Sequence, residues 1–158
     1  MRSYRLRALV AAVLCGCGPR SSSPHVEYIP VGGSANRPFS AAVRVGDLLI
    51  LSGQLGTDSS GTLVPGGIAP ETRQALENIR RVLQANGSSL DRVVKCTVML
   101  ADMQEWGAMN EVYVTYFPTH LPARSAFGAS GLARNARVEV ECWATVEAAA
   151  RSDWLPRR

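Results

Sequence analysis

The sequence predicts an α+β sandwich, in which two helices pack on one face of a single sheet of about five or six strands. Several short segments alternate apolar and polar residues, as strands do, and two longer segments repeat apolar residues at the helical period. Connections rich in glycine and proline separate these segments, in the order β-β-α-β-α-β-β. A chain of 158 residues, 46% of them hydrophobic, can build one domain around one core.

The first half of the predicted fold is two strands and a helix. Residues 41–45 and 48–51 are short apolar segments, each followed by a turn-forming pair, which predicts two strands. Residues 57–67 are rich in Gly, Ser, Asp and Pro and predict a loop. A helix is expected to begin at Pro70 and to stop at Gly87, because apolar residues recur at helical spacing between them.

The second half begins with a strand over residues 92–100, where apolar residues alternate. Asp102 and Glu105 have the spacing of a capping box, in which the Glu105 side chain reaches back to the Asp102 amide. A second helix is therefore expected to begin there and to end at Pro118. Residues 123–128 predict another short strand.

The last predicted strand, residues 137–147, carries two different faces. Valine and cysteine side chains point one way, and Glu139, Glu141 and Trp143 point the other. Because the helices cover only one face of the sheet, the second face is either covered by a partner subunit or open to solvent. The pattern alone leaves both alternatives open.

The N-terminus has the order of parts of an export signal. Basic residues precede a short apolar run over residues 8–14, which is too short to span a bilayer. Leu14 and Gly16 stand before Cys17 as in a bacterial lipobox, which this segment resembles. The resemblance implies cleavage ahead of Cys17 and attachment of a lipid to its thiol, which would hold the protein at a membrane.

These features divide the chain into a signal and tether over residues 1–23, a folded domain over 24–150 and a basic tail over 151–158. We expect an exported protein, either periplasmic or anchored as a lipoprotein. A cytoplasmic protein with an unprocessed N-terminus is the alternative.

Positive charge is concentrated at the two ends of the chain. Seven of the 17 Lys and Arg residues lie before residue 24 or after residue 150, which leaves 10 basic and 12 acidic residues between them. A protein that binds nucleic acid carries its positive charge on the folded surface that meets phosphate. We therefore expect no nucleic-acid partner.

Cys96 and Cys142 each occupy an apolar-face position of an alternating strand, where cysteine behaves as a small hydrophobe. Their spacing fits no metal motif, so no metal site is expected. Export would permit a disulfide between them. Sequence does not show whether their Cα atoms lie close enough, and two free thiols are the favoured expectation.

Six short motifs occur in the order and at the spacing of one protein family, over residues 39–148. Together they resemble the Rid family of reactive intermediate deaminases, also called YjgF. The motifs are S-G-Q from Ser52, Q-A-L-E-N-I from Gln74, V-V-K-C-T-V from Val93, N-E-V-Y from Asn110, P-A-R-S from Pro122 and V-E-V-E from Val138.

The resemblance implies a chorismate-mutase-like sandwich of the bacillus type, with a mixed sheet and two helices on one face. It also implies a homotrimer with three clefts between subunits, whose interior is lined by the second face of the sheet. Members of the family hydrolyse 2-imino and enamino acids to 2-keto acids and ammonia without a cofactor. A small-molecule 2-imino acid is thus the expected partner.

Carried over by motif, Arg124 binds the substrate carboxylate and Glu139 handles water and proton transfer. The remaining matches to cleft positions are Ser52, Gly53, Asn110, Tyr113, Phe39 and Ala126. Phe39 stands where active members usually have tyrosine, and Ala126 where many have cysteine. The loss of the tyrosine hydroxyl removes one hydrogen-bond donor, worth about 1 kcal/mol or more.

Chemistry supports the two main assignments independently. The planar fork of arginine suits a carboxylate, and a carboxylic acid with a raised pKa in a sheltered cleft can move protons in both directions. Several alternatives stay open. Arg124 could form an ion pair with a nearby glutamate, Glu141 could replace Glu139, Ser52 could be a turn residue, and Asn110 and Tyr113 could serve helix packing.

Other functions also stay open at this stage. One is a trimer that binds a small carboxylate without turning it over, which Phe39 and Ala126 favour slightly. Another is a ribonuclease or translation inhibitor, an activity also attached to this family, which the acidic balance of the body argues against.

Overall fold

The computed structural model describes residues 23–32 and 36–146. The predicted lipidation site Cys17 and the basic tail over 151–158 lie outside the described residues. Within them the chain forms seven strands, two α-helices and three 3-10 helices of three residues each. The elements are β1 (Val26–Pro30), β2 (Ser40–Val45), β3 (Leu48–Leu51), β4 (Gln54–Leu55), α1 (Ile68–Ala85), β5 (Val93–Leu100), α2 (Trp106–Val114), β6 (Ala123–Gly128) and β7 (Val138–Thr145).

The strands form one mixed sheet in the order β1-β2-β3-β7-β5-β6. β5 and β6 run parallel, and the other neighbouring pairs are antiparallel. β4 also pairs with β7 and continues the line of β3. The α+β class is confirmed. The sheet has one or two strands more than expected, because β1 is an edge strand and β4 contains only two residues.

Both helices pack on the same face of the sheet and close the core there. α1 begins at Ile68, two residues before the predicted start, with Pro70 in its first turn, where a missing backbone N–H costs nothing. It ends at Ala85, and Gly87 follows with φ 75°, in the left-handed region that glycine adopts readily. Fully buried core residues include Leu49, Leu76, Ile79, Leu83, Val98, Leu100, Val138 and Val140.

The predicted capping box before α2 is only half present. The Asp102 carboxylate accepts a hydrogen bond from the Gln104 amide at 2.8 Å, but it caps a 3-10 turn over Met103–Glu105 that leads into α2, and α2 itself has no side-chain cap. Glu105, however, forms an ion pair with Arg137 and does not reach back to the Asp102 amide. α2 ends at Val114, four residues before Pro118.

A disulfide joins Cys96 to Cys142, and the expectation of two free thiols is wrong. The two residues lie 46 positions apart in sequence but face each other directly on β5 and β7, with Cα atoms 4.1 Å apart. Both are buried on the helix-covered side. The missing information was the register of β5 against β7, which sequence spacing does not contain.

The second face of the sheet is uncovered in the single chain. It carries Glu139, Glu141 and Trp143, as the alternation of β7 predicts. Large apolar side chains lie open there: Tyr28 is 71% exposed, Phe127 48% and Trp143 38%. This face is called the open face below.

Among the described residues, neither helix is long and apolar enough to cross a membrane.

Candidate active site

Arg124 lies on β6 at the edge of the sheet and points to the side that the helices cover. In the parallel register of β5 and β6 it stands beside Cys96, whose side chain belongs to the core. Its guanidinium carbon is 4.5 Å from the centre of the Tyr113 ring and 5.7 Å from that of Trp106. Nη2 donates a hydrogen bond to Asn110 Oδ1 at 2.9 Å. Three contacts therefore fix the orientation of the guanidinium.

All three contacts of Arg124 come from one face of α2. Trp106, Asn110 and Tyr113 are spaced i, i+4 and i+7, so the helix presents them in one row. The sequence motif had indicated Asn110 and Tyr113, and Trp106 was not predicted as a site residue. Its helical spacing from those two was the signal that could have identified it.

Arg124 opens into a cavity of about 340 Å³, called the Arg124 pocket. Within the described ranges no carboxylate pairs with it, so the ion pair that the sequence left open does not form there. The guanidinium is half-buried and its hydrogen-bond partner is a neutral amide. The pocket is lined by Asn110, Tyr113, Val114, Leu121, Pro122 and Arg124.

The Tyr113 hydroxyl is a buried polar group without a hydrogen-bond partner in the described structure. Burial raises the pKa of this phenol to about 12, against a smaller lowering by the Arg124 charge. The hydroxyl thus stays protonated at neutral pH and remains able to donate. A lone buried donor beside a cation is costly unless a ligand supplies an acceptor.

Glu139 lies on the open face, packed against Gly53. A Cβ built on Gly53 would come within 2.8 Å of Glu139 Cδ and nearer still to Oε1, so only glycine leaves room for this carboxylate. The chain also widens here, because residues 51–53 stand opposite only two residues of β7, Glu141 and Cys142. Such a bulge re-aims side chains locally, and the S-G motif supplies it.

The pKa of the Glu139 carboxyl is raised, first by burial and second by the neighbouring charge of Glu141. The two glutamates stand two residues apart on one strand face, so the Glu141 charge disfavours the ionised form of Glu139. The Glu141 alternative is not decided by this geometry. Glu139 alone has the contact with Gly53.

Phe39 and Gly53 line a second cavity of about 310 Å³, called the Phe39 pocket. Phe39 is 55% exposed and brings no hydroxyl to it. Ser52 stands beside this pocket as a connection residue, and its Oγ donates to the Ser40 carbonyl at 2.6 Å. The pocket also contains Arg134, which the sequence had not indicated.

The predicted site residues therefore form two groups on opposite faces of the sheet. The first group surrounds Arg124, and Ala126 joins it because it shares the helix-covered side of β6 and packs against the core. The second group surrounds Gly53 and Glu139. The chain does not bring Arg124 and Glu139 together.

No metal centre accompanies either group among the described residues, where no three His, Cys, Asp or Glu side chains cluster.

Comparison with known proteins agrees with the motifs. Residues 33–146 match the family model described as endoribonuclease L-PSP. The chain is 50% identical over 105 residues to a mouse protein named 2-iminobutanoate/2-iminopropanoate deaminase, a match that covers 66% of this chain and 78% of the other. The human protein of the same name is 45% identical, with coverage of 66% and 77%.

Solved structures show the same fold. A Rid family protein of Yersinia pestis superposes with a TM-score of 0.72 at 35% identity, covering 77% of this chain and 100% of that one. RidA from a Psychrobacter species gives 0.67 at 32% identity, covering 79% and 99%. The chain belongs to the endoribonuclease L-PSP family, which is the Rid (YjgF) family that its motifs resemble.

Proposed function

We propose that this chain hydrolyses 2-imino acids to 2-keto acids and ammonia, without a cofactor, in a cleft assembled from two subunits. The relatives named 2-iminobutanoate/2-iminopropanoate deaminase support this reaction. The observation that carries it is the Arg124 guanidinium, which is oriented by Asn110 and two rings yet pairs with no carboxylate in the described structure. A bound substrate carboxylate could accept two parallel hydrogen bonds from the Arg124 guanidinium.

The faces of the sheet support assembly of the cleft from two subunits. Neighbouring strands are about 4.8 Å apart, so β7 and β6, which flank β5, are separated by roughly 10 Å, and Arg124 and Glu139 point to opposite sides. In a 2-imino acid the carboxylate is bonded directly to the C=N carbon. One chain therefore cannot hold both groups over one substrate, whereas Arg124 of one subunit and Glu139 of the next can.

A homotrimer is the proposed assembly, and the open face supports it. Tyr28, Phe127 and Trp143 leave a large apolar surface uncovered on that face. Exposed apolar surface of this kind is typical of a subunit interface. A second copy that covers the open face would enclose Glu139, Glu141 and the cleft beside them. Such enclosure would exclude water from the reacting atoms.

The reaction needs proton transfer in both directions. Arg124 binds the carboxylate, and water adds to the C=N carbon while Glu139 moves a proton from that water to the imine nitrogen. The tetrahedral carbinolamine then loses ammonia, after Glu139 has moved the hydroxyl proton to the nitrogen. The balance is one imine and one water consumed, and one keto acid and one ammonia formed. A carboxyl with a raised pKa suits both steps.

Export belongs to the same proposal. The basic and apolar segments that precede Cys17 support it, and so does the Cys96–Cys142 disulfide, because such bonds persist mainly in oxidising compartments. Cell fractionation tests it with two variants. Cys17→Ser should release the protein from the membrane fraction, and the matched control Cys15→Ser should not. Equal cytoplasmic distribution of all three proteins would contradict export.

A carboxylate-binding trimer without turnover is a second candidate, which Phe39 favours. That side chain lies in the pocket beside Gly53 and has no hydroxyl to hold a water molecule. Turnover separates the two functions, since a binder would retain a keto acid and release no ammonia. An endoribonuclease, which the family description names, is disfavoured by the excess of acidic over basic residues between positions 24 and 150.

The test is complementation between two inactive variants. Arg124→Ala and Glu139→Gln should each abolish ammonia release from freshly generated 2-iminobutanoate, while Arg81→Ala, on the outer side of α1, should not. Trimers reassembled from equal parts of the two inactive variants contain some clefts with both groups intact. For independent mixing about a quarter of the clefts recover, and so should about a quarter of the activity.

A mixture that stays inactive, although mixed trimers are present by native mass spectrometry, would contradict a cleft shared between subunits. A wild type that hydrolyses no 2-imino acid would contradict the enzyme.

A further inference from the structure

Arg134 is held in a strained position at the Phe39 pocket. Its φ is 61° and that of Asn135 is 58°, so two consecutive residues without glycine's freedom adopt the left-handed conformation. Such strain persists only where surrounding contacts impose it, and it is concentrated at sites that bind ligands. The contacts here come from the loop at Gly61.

The loop that holds Arg134 is itself closed by hydrogen bonds. Asp58 Oδ1 accepts from the amides of Ser60 and Thr62, which folds the loop onto itself. Arg134 Nη1 donates to the Gly61 carbonyl at 2.8 Å. No carboxylate in the described part of the chain pairs with Arg134, so its charge and its remaining N–H donors are available.

The walls of the Phe39 pocket are mainly apolar, with Gln54 and Thr57 as neutral polar side chains and Arg134 as the only charged residue of the lining. Its volume, about 310 Å³, lies at the lower end of the range for ligand pockets. None of its lining residues is acidic. The side chains around it are mainly Val31, Phe39, Ala41, Leu55 and Val82, with Arg134 at the rim.

Gly53 connects this pocket to the proposed proton carrier. It lines the pocket, and the Glu139 carboxylate packs against its Cα. Glu139 does not line the pocket itself, and Gly53 is the residue common to both, so the side chain of a substrate whose C=N carbon lies beside Glu139 would enter the Phe39 pocket past Gly53. The ethyl group of 2-iminobutanoate would leave most of that space empty, and it would leave Arg134 without a partner.

We propose that Arg134 is a specificity-determining residue that binds a second carboxylate, at the end of the substrate side chain, so that 2-imino dicarboxylic acids are preferred substrates. The aliphatic spacer of such a substrate matches the apolar walls, and its terminal carboxylate matches the unpaired guanidinium. This assignment rests on the proposed imine hydrolysis and names its substrate class.

A purely structural role for Arg134 makes a different prediction. If the guanidinium only fastens the loop at Gly61, its removal loosens the pocket for every substrate alike. If it is an ordinary solvated surface charge, its removal changes nothing. Only carboxylate binding makes the effect depend on the charge of the substrate side chain.

The experiment compares two five-carbon imines in the full-length protein. They are generated in situ by amino-acid oxidation of glutamate and of norvaline, which differ in the terminal carboxylate, and keto-acid release is measured as kcat/KM. The variants are Arg134→Asn, since asparagine tolerates the left-handed conformation, and Arg134→Lys, which keeps the charge. Arg81→Gln, on α1, controls for the change in net charge.

We expect Arg134→Asn to lower kcat/KM for the glutamate-derived imine by about ten- to a hundredfold, chiefly through KM, as for a lost hydrogen bond to a charged group. The norvaline-derived imine should be unaffected, and Arg134→Lys should restore part of the loss. An equal loss on both imines, or none on either, would overturn the assignment and leave imine hydrolysis intact.

Calorimetry of product binding gives a second readout that does not need turnover. Wild-type protein should bind 2-oxoglutarate more tightly than 2-oxopentanoate, and Arg134→Asn should remove that difference. Equal affinities in the wild type would overturn the substrate class. Failure of the wild type on both imines would overturn the proposed function, and the assignment of Arg134 would fall with it.

Discussion

Substitution of Gly53 by alanine should displace the Glu139 carboxylate and leave the rest of the site unchanged. The new methyl carbon would lie 2.8 Å from Glu139 Cδ and closer to Oε1, whereas real Cβ contacts below 3.0 Å essentially do not occur. The carboxylate must therefore retreat by about 1 Å, and misplacement of that size can cost about a hundredfold in rate. This corresponds to about 2.7 kcal/mol of transition-state stabilisation.

The effect should fall on kcat, because in the proposed cleft the substrate carboxylate is bound by Arg124 of the neighbouring subunit, whose contacts with Asn110 and Tyr113 the substitution does not touch. Initial rates of ammonia release from 2-iminobutanoate measure it, with KM from the same data. Gly107→Ala is the matched control, since a Cβ there meets nothing within 4 Å. Because Gly107 lies inside α2, alanine should also stabilise the fold by about 0.5–1 kcal/mol.

The reasoning is refuted if Gly53→Ala retains wild-type kcat while its thermal unfolding matches the wild type. In that case the carboxylate reaches the substrate from another position, or Glu141 performs its role. A collapse of stability in Gly53→Ala would equally refute it, because Glu139 is a half-buried side chain that should be able to move aside without unfolding the sheet.

Four further outcomes can be measured on the same protein. Because the pKa of Glu139 is raised in the folded protein, the wild type loses stability as pH rises from the pKa of the unfolded state through that of the folded state. Glu139→Gln should therefore unfold at a higher urea concentration than the wild type at pH 7, and the two should unfold alike in acid. Glu141→Gln removes the neighbouring charge, so the acid limb of the activity profile should move to lower pH, and an unmoved limb would exclude Glu139 as its origin. Replacing Cys96 and Cys142 by alanine should cost roughly 2–4 kcal/mol of unfolding free energy by denaturant titration, as for a crosslink closing a long loop, and an unchanged midpoint would mean that the bond is not formed. Tyr113→Phe removes a buried unpaired hydroxyl, so it should leave stability equal or higher, and kcat/KM should fall if that hydroxyl donates to substrate.

The sequence predicted the elements whose pattern is local. The strands over 48–51 and 123–128 were placed at their observed bounds, because apolar runs and turn residues mark them. β1 and β4 were missed for different reasons. β1 is an edge strand that ends in Pro30, and β4 is a strand only because β7 pairs with it. Cross-strand register, which produced the disulfide, is a property of the sheet and is absent from local sequence.

The candidate site shows the same division. Motifs indicated Arg124, Glu139 and their neighbours, but not the faces to which they point. The alternation of β7 gave the face of Glu139 correctly. Arg124 could not be placed in this way, because β6 is an edge strand of mixed residues, and its helix-covered side became evident only from the register with Cys96 and from α2.

The separation of the two groups has a consequence for the chemistry of the proposed assembly. Burial is the first cause of the raised pKa of Glu139, and a second subunit over the open face would bury it further and raise the pKa more. The positive charge of Arg124 from that subunit would lower the pKa of Glu139. When a substrate carboxylate binds, it neutralises the Arg124 charge, and this lowering of the Glu139 pKa disappears. Glu139 would therefore be the stronger base when an imine is bound, which couples substrate binding to its ability to take a proton from the attacking water.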